Sequence, residues 1–178
     1  MTGFIDWKEP FLYYMNMLDI VTLGDDVLRQ DAEEIVNIDE EIARLAEGML
    51  NSMYAGDGIG LAGPQVGLLK QIFVCHAQND QPRVFINPQL LATSQEQIPY
   101  EEGCLSIPGV WGDVIRPQEI TVQAVNEKGK VFRIDADGIL ARVIQHEMDH
   151  LKGVLFIDHL SEAARKKVLK IYERKHRK

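Results

Sequence analysis

The sequence predicts an α+β fold, with antiparallel or mixed sheets packed around a central helix whose paired histidines mark it as metal-binding. Three observations carry this. Short apolar runs of strand length are separated by turns containing Gly, Pro and Asn. Two longer segments repeat apolar residues at three- and four-residue steps. The second of these holds two histidines four positions apart, which a helix brings to one face. At 178 residues, one domain over 1–178 is expected, with an N-terminal extension over 1–17 and a basic tail over 161–178.

Taken in order, residues 1–17 are rich in aromatics (Phe4, Trp7, Phe11, Tyr13, Tyr14) and suit packing on the body or self-association. Residues 18–23 read as a short strand, and 24–26 as a turn. Asp39 is a helix N-cap, followed by Ile42, Leu45, Ala46, Met49, Leu50 and Met53 as an apolar stripe that Gly56 and Gly60 end. Residues 58–67 are dense in glycine, which lets backbone approach a ligand. They do not form a dinucleotide fingerprint, because Pro64 and Gly67 interrupt the helix such a site needs. Residues 71–76 and 83–87 read as strands joined by the polar turn 78–81, with Cys75 as a packed thiol and His76 at an edge. Residues 120–125 and 131–134 form a hairpin around 126–130, and Asp135 or Asp137 caps the helix that follows.

The net charge of -8 argues against specific DNA binding. It is uneven: the tail carries eight Lys/Arg against Glu162 and Glu173, leaving it at +6 and the remainder at -14. Such a tail suits either a polyanion or a solvated terminal helix. No apolar run is long enough to span a bilayer, and Asp6, Lys8 and Glu9 break any signal-peptide pattern. Two cysteines without a secretory signal fit a reducing compartment, so a cytoplasmic location is expected.

The chemistry centres on residues 145–153, QHEMDHLKG. His146 and His150 can grip one metal ion, and Glu147 can handle the proton of a water molecule beside it. Leu140, Val143, Ile144, Met148 and Leu151 make the carrier an apolar helix, and Gly153 stops it. A core helix with two satisfied histidines is the plain alternative; the complete motif favours metal. A catalytic site needs a third ligand and an open position. The extended zinc-protease pattern fails, since its last position is Phe156. His159, Glu162 or Glu173 remain as downstream candidates, and Cys104 as an upstream one whose thiolate is a strong ligand.

Three stretches together resemble the signature motifs of the peptide deformylases: residues 58–65 (GIGLAGPQ), 102–106 (EGCLS) and 145–153. The likeness spans roughly residues 18–160, with Gly63 standing where the family usually has alanine. It implies a metal-dependent hydrolase that removes the N-formyl group from the formyl-methionine of nascent polypeptides and releases formate, in a bacterial-type or organellar setting. It implies Cys104, His146 and His150 as ligands to one divalent ion, Fe2+ by family habit, with Zn2+, Ni2+ or Co2+ also suited. Glu147 would be the general base, and the Gln65 amide and Leu105 backbone N–H would stabilise the oxyanion. A formyl-Met peptide would pair with backbone at Gly58, Ile59, Gly60 and Leu61, near Gly103. Tyr100, Ile139 and Val143 would line the methionine pocket; Arg142, one helical turn before His146, reads as a rim residue or as a support behind the ligands. A Glu102–Arg116 pair would brace the Cys104 loop. The basic tail would meet the ribosome. A zinc endopeptidase using the same helix, and a non-catalytic polyanion binder, are the competing readings.

Overall fold

The computed structural model describes residues 17–177; the aromatic segment 1–16 lies outside the described residues. Seven strands and three longer helices follow one another. These are α1 (Glu40–Ala55), β1 (Gly60–Ala62), β2 (Ile72–Cys75), β3 (Arg83–Thr93), β4 (Gln97–Cys104), β5 (Ile107–Pro117), β6 (Ile120–Val125), β7 (Val131–Ala136), α2 (Gly138–His150) and α3 (Glu162–His176). Five strands form one sheet in the order β1-β2-β3-β6-β7, and β4 and β5 form a separate hairpin. Every pairing between these strands is antiparallel. The α+β expectation holds, without the mixed sheet it allowed for.

The five-stranded sheet is covered on both faces, which explains why β2 reads as an unbroken apolar run, IFVC. Side chains on a strand alternate between faces. Phe73 and Cys75 join Phe85, Val122 and Ala124 against Ala141, Ile144 and Met148 of α2. Ile72 and Val74 join Val84 and Ile86 against Ile42, Met49 and Met53 of α1. The stacked rings of Phe73 and Phe85, 4.6 Å between centroids, anchor the α2 side. A third cluster packs α3, through Val168 and Leu169, with Leu155, Phe156 and Ile157 against Ile107, Val110 and Val114 of the hairpin.

Local signals explain the helix ends. Asp39 caps α1, its Oδ1 accepting from the backbone N–H of Glu41 and Ile42. Asp137, not Asp135, occupies the N-cap of α2, and its side chain makes no capping hydrogen bond. Gly153 adopts φ +65°, and a Cβ there would lie 2.6 Å from the carbonyl carbon of Arg29, so only glycine fits this stop.

Two expectations need correction. Residues 18–23 form no strand. Their backbone is spent elsewhere: Leu18 N–H donates to Ser52 Oγ, Val21 N–H to Gln65 O and Leu23 N–H to Ser106 O. The segment is a strap, and a strap lacks the repeating partner that a ladder requires. The strand expected over 83–87 is also too short. β3 continues to Thr93, its far half exposed and paired with β6 through two register shifts.

Candidate active site

α2 brings His146, Glu147 and His150 to the buried side of the molecule, and the tip of the hairpin brings Cys104 to meet them. The hairpin turns at Leu105-Ser106, so Cys104 is the last residue of β4 and faces Ile107. Just before it the register slips. Glu102 faces Gly112, so two steps along β4 are matched by five along β5. Such an irregularity re-aims side chains. Here it turns Cys104 inward and bulges Pro108, Gly109, Val110 and Trp111 into a wall.

Cys104, His146 and His150 offer ligand atoms that all lie within 4.8 Å of one another, and among the described residues they are the one such group. Cys104 Sγ is 3.3 Å from His150 Nε2, and the two imidazole centroids are 5.1 Å apart. Glu102 Oε2 accepts from His146 Nδ1 at 2.9 Å, which leaves the Nε2 lone pair of His146 for a ligand role. Glu147 Oε2 and His150 Nδ1 are buried with no protein partner. One sulfur and two nitrogens, converging with room for a fourth donor, fit a catalytic metal ion.

The electrostatics agree. Burial works against charge on His146, yet the Cys104 sulfur and the Glu102 carboxylate beside it hold its pKa well above the ordinary imidazole value. The surroundings thus favour positive charge at that point. Burial lowers His150 well below the ordinary value and keeps it neutral, as a ligand must be. Burial would raise Glu102, but its bonds to His146 and Arg116 outweigh that and hold it well below the carboxylate range. Glu147 lacks such partners, and burial pushes it up to about 7.

The expected Glu102–Arg116 pair is present and buried. Arg116 donates from Nε and Nη2 to the two Glu102 oxygens, at 2.7 and 3.0 Å. Its Nη1 donates to Asp149 at 2.7 Å. Of the two roles expected for Arg142, the supporting one fits: it borders the cleft but is buried, and it donates to Glu102, to the Val114 carbonyl and to the Ile98 carbonyl. Together these side chains bolt α2 to the hairpin that carries Cys104. Breaking a buried pair of this kind typically costs about 3–5 kcal/mol, against about 0–1 for an exposed pair such as Arg44–Glu40.

A cleft of about 620 Å³ opens beside His146 and Cys104. Gly58, Ile59 and Gly60 form one wall, Tyr100, Gly103 and Trp111 another, with Ile139, Val143 and Glu147 at the floor. Leu61, expected to pair through its backbone, keeps its side chain wholly buried in the α1 core. β1 is an edge strand, so its outer side is open to a further strand. Gly60 is required there, because a Cβ would lie 2.2 Å from Glu147 Oε1.

Gln65 is buried, and its orientation is fixed. Its Oε1 accepts from Ala62 N–H at 2.8 Å, so Nε2 points to Ser106 Oγ at 3.2 Å and Cys104 Sγ at 3.4 Å. Leu105 packs its side chain over Gly58. Sequence reasoning missed Ser106, Asp149 and Trp111. Asp149 stands inside the histidine motif and could have been flagged; Trp111 enters the wall through the register slip.

Both cysteines are free, but they differ. Cys75 is buried, and burial pushes its thiol up to about 12. With metal removed, one thiol per native chain should react with a small disulfide reagent at neutral pH, and two after denaturation. Rapid labelling of both in the native chain would contradict this placement.

A family model described as polypeptide deformylase matches residues 17–166. A peptide deformylase from a Picosynechococcus species is 52% identical over 147 residues, covering 80% of this chain and 79% of that protein. One from Treponema pallidum is 45% identical over 155 residues, covering 87% and 95%. Among solved structures, a peptide deformylase from Synechococcus elongatus in complex with actinonin superposes with a TM-score of 0.84 at 46% identity, covering 86% of each chain. Another from Ehrlichia chaffeensis, also with actinonin, gives 0.87 at 38% identity, covering 91% of this chain and 99% of that one.

Proposed function

The chain belongs to the peptide deformylase family, and from that premise we propose how its own residues carry the reaction. The enzyme is a metal-dependent hydrolase that removes the N-formyl group from the N-terminal formyl-methionine of nascent polypeptides and releases formate. The endopeptidase alternative finds no support: His159 is engaged with Asp149, and Glu162 is exposed and paired with Lys166.

Cys104, His146 and His150 would hold one divalent ion, whose contribution is Lewis-acid activation of water at neutral pH. The native ion on this reading is ferrous, the same donors also suiting zinc, nickel or cobalt. Metal analysis of protein isolated without air tests that choice. Glu147 takes a proton from the attacking water at its carboxylate and later gives it to the leaving amine nitrogen. The water oxygen adds to the formyl carbon and the C–N bond breaks, so formate and a free α-amine result. Gln65 Nε2 and the Leu105 backbone N–H donate to the oxygen that gains charge. The peptide lies along the open edge of β1, pairing with backbone at Gly58, Ile59 and Gly60. The methionine side chain enters between Tyr100, Ile139 and Val143.

The observation that carries this is the convergence of Cys104, His146 and His150 within 4.8 Å, beside an unpaired, buried Glu147. Cys104→Ser tests it. We expect loss of bound metal together with formate release. A variant that keeps both would overturn Cys104 as ligand.

The basic tail would dock on ribosomal RNA, which implies a compartment that makes formylated chains. Lys166, Lys167, Lys170 and Arg174 are exposed on α3, while Val168 is buried in the third core cluster. Charge reversal at the four basic positions, and not truncation, is therefore the clean test. Ribosome affinity should fall and its salt dependence flatten, with activity on a short peptide kept. Unchanged, salt-independent binding would refute tail docking.

A further inference from the structure

We propose that His159 is a positioning residue for the metal site, acting through a line of polar contacts that runs from the surface to His146. This rests on the ligand assignment above. His159 Nε2 donates to Asp149 Oδ2 at 2.7 Å. Arg116 Nη1 donates to the same oxygen, also at 2.7 Å. The other edge of that guanidinium grips Glu102, and Glu102 accepts from His146 Nδ1. Exposure falls from 34% for the His159 side chain through 22% for Asp149 to 5% for Arg116 and 4% for Glu102, and His146, which borders the cleft, is at 10%.

The weak member is Asp149. It is the penultimate residue of α2, where the helix dipole disfavours negative charge and the last turn is held least firmly. A carboxylate also rotates freely about its last torsion unless its oxygens are fixed. Arg116 alone fixes one direction. His159, arriving from the segment between α2 and α3, fixes a second and keeps Asp149 beneath Arg116. Arg116 in turn has a planar donor fork, so a shift at Nη1 tilts the edge that holds Glu102. Glu102 sets the ring of His146. His159 is thus tied to the histidine motif without being a ligand.

The test compares His159→Ala and His159→Gln in the full chain, each also in an Asp149→Ala background. Release of zinc to a chromophoric chelator and the visible spectrum of the cobalt-loaded protein are the readouts, with formate release in parallel. His159→Ala should release zinc several-fold faster and shift the cobalt bands. That is less than the roughly 10- to 100-fold typical of losing a group that touches the ligand itself. His159→Gln, whose amide N–H can reach the same oxygen, should restore most of the difference. In the Asp149→Ala background, which removes the shared acceptor oxygen, alanine and histidine should behave alike. Equal release from His159→Ala and the parent chain would overturn the proposal. So would an alanine effect that persists undiminished in the Asp149→Ala background. A parent chain that deformylates its substrate but takes up neither zinc nor cobalt at these residues would overturn the ligand assignment instead.

Discussion

Glu147→Gln lowers formate release by roughly 100- to 10,000-fold, the range expected when a positioned general base is lost, while the chain keeps its metal. The substitution is close to isosteric, and Glu147 Oε2 has no protein partner to lose. Burying a carboxylate without a partner is costly, so the variant should be as stable as the parent or more so. Single-turnover assays, metal analysis and thermal melts on the same preparation separate these effects. A variant with near-parental activity would remove Glu147 from the reaction. A variant that lost metal along with activity would make Glu147 a structural support of the ligand cage.

Gly60→Ala is expected to cost about 100-fold in kcat, the scale that a displacement of roughly 1 Å at a reacting group can reach. A methyl at this position would sit 2.2 Å from Glu147 Oε1 and 2.6 Å from Val143 Cγ2. Both neighbours are buried on α2, and the space beside them is the cleft in which the substrate reacts. Either the Glu147 carboxylate moves away from the substrate or β1 moves off β2, and both spoil the geometry. Gly24→Ala is the control for surface handling, because no atom lies within 4 Å of an added Cβ there. Its φ of +112° carries its own strain, so the comparison rests on kcat and not on stability. Parental kcat in Gly60→Ala would mean that Glu147 does not need its present position.

Much of this was legible in the chain. The α1 and α2 stripes follow the helical period, and Asp39 and Gly153 mark ends as their chemistry predicts. The three motif stretches carry Gln65, Cys104, His146, Glu147 and His150, and the fold brings all five together. What escaped reading depends on register. Arg116 was visible as a partner for Glu102, fourteen positions away on the same hairpin. Its second contact, to Asp149 across 33 positions, follows only from how α2 lies over the hairpin. Trp111 is 57% exposed, and no motif in the sequence marks it. It lines the cleft because Gly103 leaves room for its ring and Lys175 reaches over it from α3. Residues 18–23 misled because an apolar run of strand length also describes a strap whose partners are scattered.

The most direct test is formate release from an N-formyl-methionyl tripeptide by protein loaded with ferrous iron in the absence of air. One formate and one free α-amine should appear for each peptide consumed, with the internal peptide bonds intact. Protein that carries one metal per chain yet releases no formate, or that cleaves the peptide internally, would contradict the assignment of this cleft.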